Sequence, residues 1–154
     1  MDETIEEIMK QWNKLKKKDE RLLVLVGAPG SGKSQILRRL EVRNGWKYAE
    51  AKDLLPADVF SVPRKERADW AKEHMTESIV RLSGPVTIID SIGLLFAPVY
   101  NMHPMDILRE ISLTHPLIAG WTGAFDGEKL TLEYNGRKDF HVYDVSDKDH
   151  IFTL

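Results

Sequence analysis

The sequence predicts an α/β domain of three layers, with helices on both faces of a mostly parallel sheet and a β-hairpin-rich extension at the C-terminal end. Three observations carry this. Continuous apolar runs at 22–26, 86–89 and 117–121 read as strands buried on both faces. Stretches with apolar residues at helical spacing alternate with those runs, the order that parallel crossovers require. Beyond Ala124 the pattern changes to short alternating segments, which are the mark of strands joined by tight turns.

Ile5, Ile8, Met9, Trp12 and Leu15 predict an amphipathic helix over 4–18, with Thr4 and Glu7 as a capping box. Lys16, Lys17 and Lys18 then suit its C-terminal end, where cations favour the helix dipole. The strand at 22–26 runs into glycine. A helix over 34–43 follows, with Ile36, Leu37 and Leu40 inward, Arg38, Arg39 and Arg43 outward, and a stop near Asn44-Gly45. Residues 46–49 read as a second strand. Trp70, Met75, Ile79 and Leu82 mark a helix over 64–82 that stops at Gly84-Pro85. A strand at 86–89 ends on Asp90, a short helix covers 105–113, and another strand occupies 117–121. Leu130-Thr131-Leu132-Glu133-Tyr134 and Phe140-His141-Val142-Tyr143 complete the pattern as strands, with Asn135-Gly136 as the tight turn between them. We expect one domain over 1–154: an N-terminal helix in 1–20, a core in 21–123 and the β-extension in 124–154.

At 154 residues, 42% hydrophobic and 30% charged, the composition is that of a globular domain, not of a disordered, collagenous or disulfide-built chain. With no cysteine, thiolate metal sites and Cys nucleophiles are excluded. No apolar run approaches the ~20 residues that span a bilayer, and the charged start is unlike a signal peptide, so the expectation is a cytoplasmic protein without a membrane partner. A net charge of -2 supplies no global attraction to nucleic acid.

The chemistry is concentrated in Gly27-Ala28-Pro29-Gly30-Ser31-Gly32-Lys33-Ser34, which fits G-x-x-x-x-G-K-[ST] between a predicted strand and a predicted helix. The glycines let backbone amides approach phosphate oxygens, and the helix N-terminus adds positive potential. Lys33 would neutralise the β- and γ-phosphates and Ser34 would ligate Mg²⁺. This is the Walker A pattern of a P-loop NTPase core and predicts ATP or GTP with Mg²⁺ as ligands; the bland alternative is a glycine-rich turn without a ligand. Asp90 has the position of a Walker B carboxylate holding Mg²⁺ through its water shell, which makes Lys33 and Asp90 the candidate catalytic pair and Ser34 and Asp90 the candidate metal residues. The next residue is Ser91, where many hydrolytic P-loop ATPases carry a water-orienting glutamate.

Thr122 is a weaker candidate for sensing the γ-phosphate, with an ordinary strand-end threonine as the alternative. Arg38, Arg64, Arg67, Arg81, Arg109 and Arg137 all read first as solvent-facing, so none is assigned as an arginine finger. The five histidines show no metal-ligand spacing. The apolar stretch from Ile92 to Tyr100 reads first as core and second as a partner-docking element near the nucleotide.

The small size, the 27–34 loop, residues 86–91, and Pro116-Leu117-Ile118-Ala119-Gly120-Trp121-Thr122-Gly123 followed by a hairpin together resemble BrxF, the small P-loop protein of some BREX bacteriophage-exclusion systems. The resemblance spans most of the chain, with only the P-loop strongly specific. It implies a bacterial cytoplasmic protein of antiviral defence, working beside a larger ATPase, a DNA methyltransferase and other components. Gly27, Gly30, Gly32, Lys33, Ser34 and Asp90 carry over from the superfamily pattern, and Ser91 departs from it. The expected function is a nucleotide-gated subunit of such a complex with weak or partner-stimulated hydrolysis, self-association being compatible with it. Two alternatives stand beside it: a small-molecule or nucleotide kinase with Arg64-Lys65-Glu66-Arg67 in a lid, and a nucleotide-controlled DNA-binding module using the basic N-terminal helix.

Overall fold

The computed structural model describes residues 2–134 and 137–154, and side chains at 2–133 and 143–154. The expected turn at Asn135-Gly136 and the side chain of Arg137 lie outside the described residues. The fold is α/β, with four α-helices among the described residues and a mostly parallel sheet.

Helix α1 (Asp2–Leu15) buries Ile5, Ile8, Trp12 and Leu15, whose 3-4-3 spacing forms one stripe. It differs from the expected 4–18 at both ends. Asp2 and Glu3 occupy the first turn, where acids meet the positive helix end, so Thr4 and Glu7 lie inside the helix and form no capping box. Lys16, Lys17 and Lys18 fall beyond its last residue; the Lys18 ammonium instead reaches Asp147 at 2.5 Å and Asp149 at 2.9 Å.

Strand β1 (Leu22–Gly27) is buried along its whole length. Helix α2 (Lys33–Asn44) follows and ends where Gly45, at φ 67°, turns its N–H back onto the Glu41 carbonyl. Strand β2 (Lys47–Glu50) starts one residue later than expected, because Trp46 turns into the core edge-on to Trp12 with ring centroids 5.9 Å apart. Three short 3-10 turns lead to helix α3 (Arg67–Leu82), the first three residues of the expected 64–82 helix forming the last of those turns. Strand β3 (Thr87–Asp90) keeps Asp90 inside the strand. Turns at Ile92–Phe96 and Pro98–Tyr100 bury Ile92, Leu95 and Phe96, as core packing requires. Helix α4 (Pro104–Ser112) starts on a proline that needs no N–H partner. Strands β4 (Leu117–Phe125), β5 (Lys129–Tyr134) and β6 (Arg137–Asp144) come next, and β7 (Ile151–Thr153) is a parallel strand that the sequence reading merged into the extension.

The strand order is β2-β3-β4-β1-β7, all parallel, with β5 and β6 added antiparallel beyond the second half of β4. Alternation along β1 divides the interior. Leu23 and Leu25 face α1 and α2, while Leu22, Val24 and Val26 face the side of α3 and α4. The connection from β1 to β2 runs outward along the sheet and the later ones run back. The right-handed rule for parallel crossovers then sends their helices to opposite faces. Connections therefore diverge at the carboxyl ends of β1, β3 and β4, the place where open α/β sheets leave a ligand crevice.

The bend of β4 from one sheet regime to the other depends on Gly123. A Cβ there would lie 1.9 Å from the Thr131 carbonyl oxygen, which also accepts a 3.0 Å bond from the buried Trp121 indole N–H. Phe96 and Tyr143 close edge-on around that indole at 5.5 and 5.8 Å. Gly123→Ala is expected to lower stability by about 3 kcal/mol, as overpacking against backbone does. Urea unfolding followed by tryptophan fluorescence measures this, and an unchanged midpoint would contradict it.

Candidate functional site

Three strand ends meet at this edge of the sheet. β1 hands the chain to the 27–34 loop, β3 delivers Asp90, and β4 passes between them with Gly120 and Thr122. Gly27 is the last residue of β1, in register with Thr122; a Cβ on it would lie 2.4 Å from the Ser31 hydroxyl oxygen. The Ser31 N–H closes a turn onto the Ala28 carbonyl at 3.1 Å, and Gly30 and Gly32 take left-handed φ values of 77° and 82°. Those conformations are the ones glycine adopts without steric cost.

Helix α2 begins without a side-chain cap. Among the described residues, the N–H groups of Gly32, Lys33, Ser34 and Gln35 find no protein acceptor. A ring of such donors at a helix N-terminus is suited to an anion. Ala28, Pro29, Gly30 and Ser31 are exposed, so the donors open toward solvent.

Asp90 is 2% exposed, and each of its oxygens is accounted for. Oδ2 accepts from the Ser34 hydroxyl at 2.7 Å and from the Tyr48 hydroxyl at 2.6 Å. Oδ1 accepts from the Ser91 N–H at 2.8 Å and faces the Lys33 ammonium at 3.8 Å, beyond hydrogen-bond length. Burial pushes this carboxyl up, but the bonds from Tyr48, Ser34 and Ser91, together with the Lys33 charge, outweigh it and hold the carboxyl below its usual range. Asp90 is thus an ionised carboxylate at neutral pH. The Tyr48 phenol is pushed the other way, first by burial and then by its bond to Asp90, and stays a protonated donor.

Lys33 and Ser34, at the end of the loop, and Asp90 are therefore brought together. An oxygen-only pair, Ser34 and Asp90, suits a hard divalent cation, because a hydroxyl that donates its proton to Asp90 keeps its lone pairs free. No protein-family model and no curated protein matches the chain.

The remaining candidates are dispersed. Thr122 lies beside Gly27, and its hydroxyl has no partner among the described residues. Ser91 is exposed in a left-handed conformation at φ 57°. The strand neighbour of Asp90 is Glu50, whose carboxylate meets Lys52 at 3.3 Å. Arg67 is committed to the Val62 and Val99 carbonyls and Arg109 to Glu20. Among the described residues no group of three His, Asp or Glu could hold a metal, and no helix is long and apolar enough to cross a membrane.

Two residues of the site escaped the sequence reading. Tyr48 stood only as part of a strand; its one local signal is its place two residues before Glu50 on the face that β2 shares with Asp90. Gly120 lay inside an apolar run. A Cβ there would come 2.8 Å from Leu37 Cδ1 and 3.0 Å from Asp90 Oδ1, so glycine makes the room in which Lys33 and Asp90 meet. Gly120→Ala should displace both and destabilise the fold by about 1–3 kcal/mol. Denaturant titration checks the loss, and wild-type stability would show that the space is not needed.

Proposed function

We propose that the chain binds a purine nucleoside triphosphate with Mg²⁺ in a P-loop NTPase-type core and works as a nucleotide-responsive subunit with slow or partner-stimulated hydrolysis. The supporting observation is the coincidence, at the carboxyl ends of β1 and β3, of helix-start amides without an acceptor among the described residues, a mostly buried lysine and an ionised, buried Asp90. In this reading the loop amides and Lys33 bind and orient the phosphates, and Ser34 with Asp90 holds the cation. A bound Mg²⁺ would supply charge neutralisation between the phosphates. Asp90 would orient the cation's water shell, and Lys33, the first residue of α2, would neutralise phosphate charge.

Ser91 in place of a carboxylate leaves the residue after Asp90 unable to accept a proton from water, which supports slow turnover. A nucleotide-bound state that persists suits a switch whose loops respond to the bound phosphate. By the resemblance to BrxF, the proposal extends to a cytoplasmic subunit of a BREX-like antiviral complex, with protein partners that read the nucleotide state. A kinase gains less support: Arg67, one of the charges offered for a lid, is tied down by two backbone carbonyls.

Calorimetry with ATP and GTP in Mg²⁺, followed by phosphate release on the same sample, tests this. Binding with little release is expected. Lys33→Ala removes a charge-assisted contact of about 1.5–3 kcal/mol, a loss of roughly 10–100-fold in affinity. Asp90→Ala should instead abolish the dependence on Mg²⁺. Equal affinity in wild type and Lys33→Ala, or no binding by wild type, would refute the assignment.

A further inference from the structure

Oδ2 of Asp90 carries two donors, and only one of them, Ser34, comes from the loop-and-helix unit that defines the phosphate site. The second, Tyr48, comes from the far edge strand β2, at 2.6 Å. Its ring is held in place. The Arg38 guanidinium lies 3.5 Å above the ring centroid, and Arg38 stands one helical turn beyond Ser34, on the same side of α2. Ser34, Asp90, Tyr48 and Arg38 thereby form a continuous wall running from the loop to the edge of the sheet.

A carboxylate can turn about its Cβ–Cγ bond and exchange its oxygens. Here the two donors on Oδ2 and the Ser91 N–H on Oδ1 fix the plane of the group. The other side of Oδ1 faces the Lys33 ammonium at 3.8 Å, an ion pair longer than a hydrogen bond. We propose that Tyr48 is a positioning residue for the cation site: it locks the Asp90 carboxylate so that Oδ2 stays on Ser34 and Oδ1 stays turned to Lys33 of the phosphate loop. Arg38 acts one step further out, holding the phenol in line. The role rests on the nucleotide reading above. Ser34 alone leaves Oδ2 with a single, rotatable hydroxyl, so removal of the phenol frees the carboxylate to turn and leaves a buried charge short of one donor.

The test is ATP calorimetry on the full chain at a series of Mg²⁺ concentrations and in EDTA, with Mn²⁺ titration by electron paramagnetic resonance as a second readout. Tyr48→Phe is expected to raise the Mg²⁺ and Mn²⁺ concentrations at half-effect by about tenfold, the usual size for a partner of a metal-holding carboxylate. ATP affinity in EDTA, set by the loop and Lys33, should stay that of wild type. A merely structural tyrosine would move the unfolding midpoint without moving the metal dependence. Arg38→Gln, which keeps the phenol, should shift the metal dependence in the same direction and by less. It decides the matter if Tyr48→Phe does not fold. Metal dependence equal to wild type in the folded variants overturns the role of Tyr48. Wild type that binds no ATP at any Mg²⁺ concentration overturns the nucleotide reading itself.

Discussion

The constraint on which the rest of the site depends is the burial of one carboxylate. An ion removed from water costs several kcal/mol unless donors replace the solvent. Asp90, at the end of a strand with neighbours on both sides, is reached by groups from other elements and by the turn that follows it. The fold supplies them from three directions: α2 through Ser34 and Lys33, the edge strand through Tyr48, and the chain's own turn through the Ser91 N–H. The left-handed turn at Ser91 and the missing side chain at Gly120 follow from the same demand, one bringing an amide back and the other leaving room.

The parts of this arrangement that could be read in the sequence are those specified within a short stretch. A buried strand, a glycine-rich loop and a helix in succession announce themselves, and an aspartate closing an apolar run does so nearly as clearly. Tyr48 could not be found this way, because its significance lies in a residue two elements later in the chain. Gly120 was hidden for a similar reason: a glycine among apolar strand residues looks like packing until the side chains of Leu37 and Asp90 are placed against it. The three residues of β7 were too few to show a period, and the ends of α1 were decided by Asp2 and by the acids that draw Lys18 away, not by the Thr4-Glu7 pattern.

Strand β4 joins the site to the C-terminal hairpin. Its first half lies parallel between β1 and β3 and its second half runs antiparallel to β5, with Thr122 and Gly123 at the change. Trp121 ties the two halves together, packed among core side chains and hydrogen-bonded across to the hairpin. A group beside the loop and a group under the hairpin are thus consecutive residues of one strand.

Strand β1 also joins distant parts of the chain. Its two partners, β4 and β7, come from the distant half of the chain, so this six-residue apolar segment has no hydrogen-bonded neighbour until long loops have closed. During that interval it presents an uncharged, β-prone edge to other chains, the kind of segment that nucleates aggregation. The loop suspended from its end is anchored where Gly27 pairs with Thr122, so its position depends on a pairing made across most of the length of the chain.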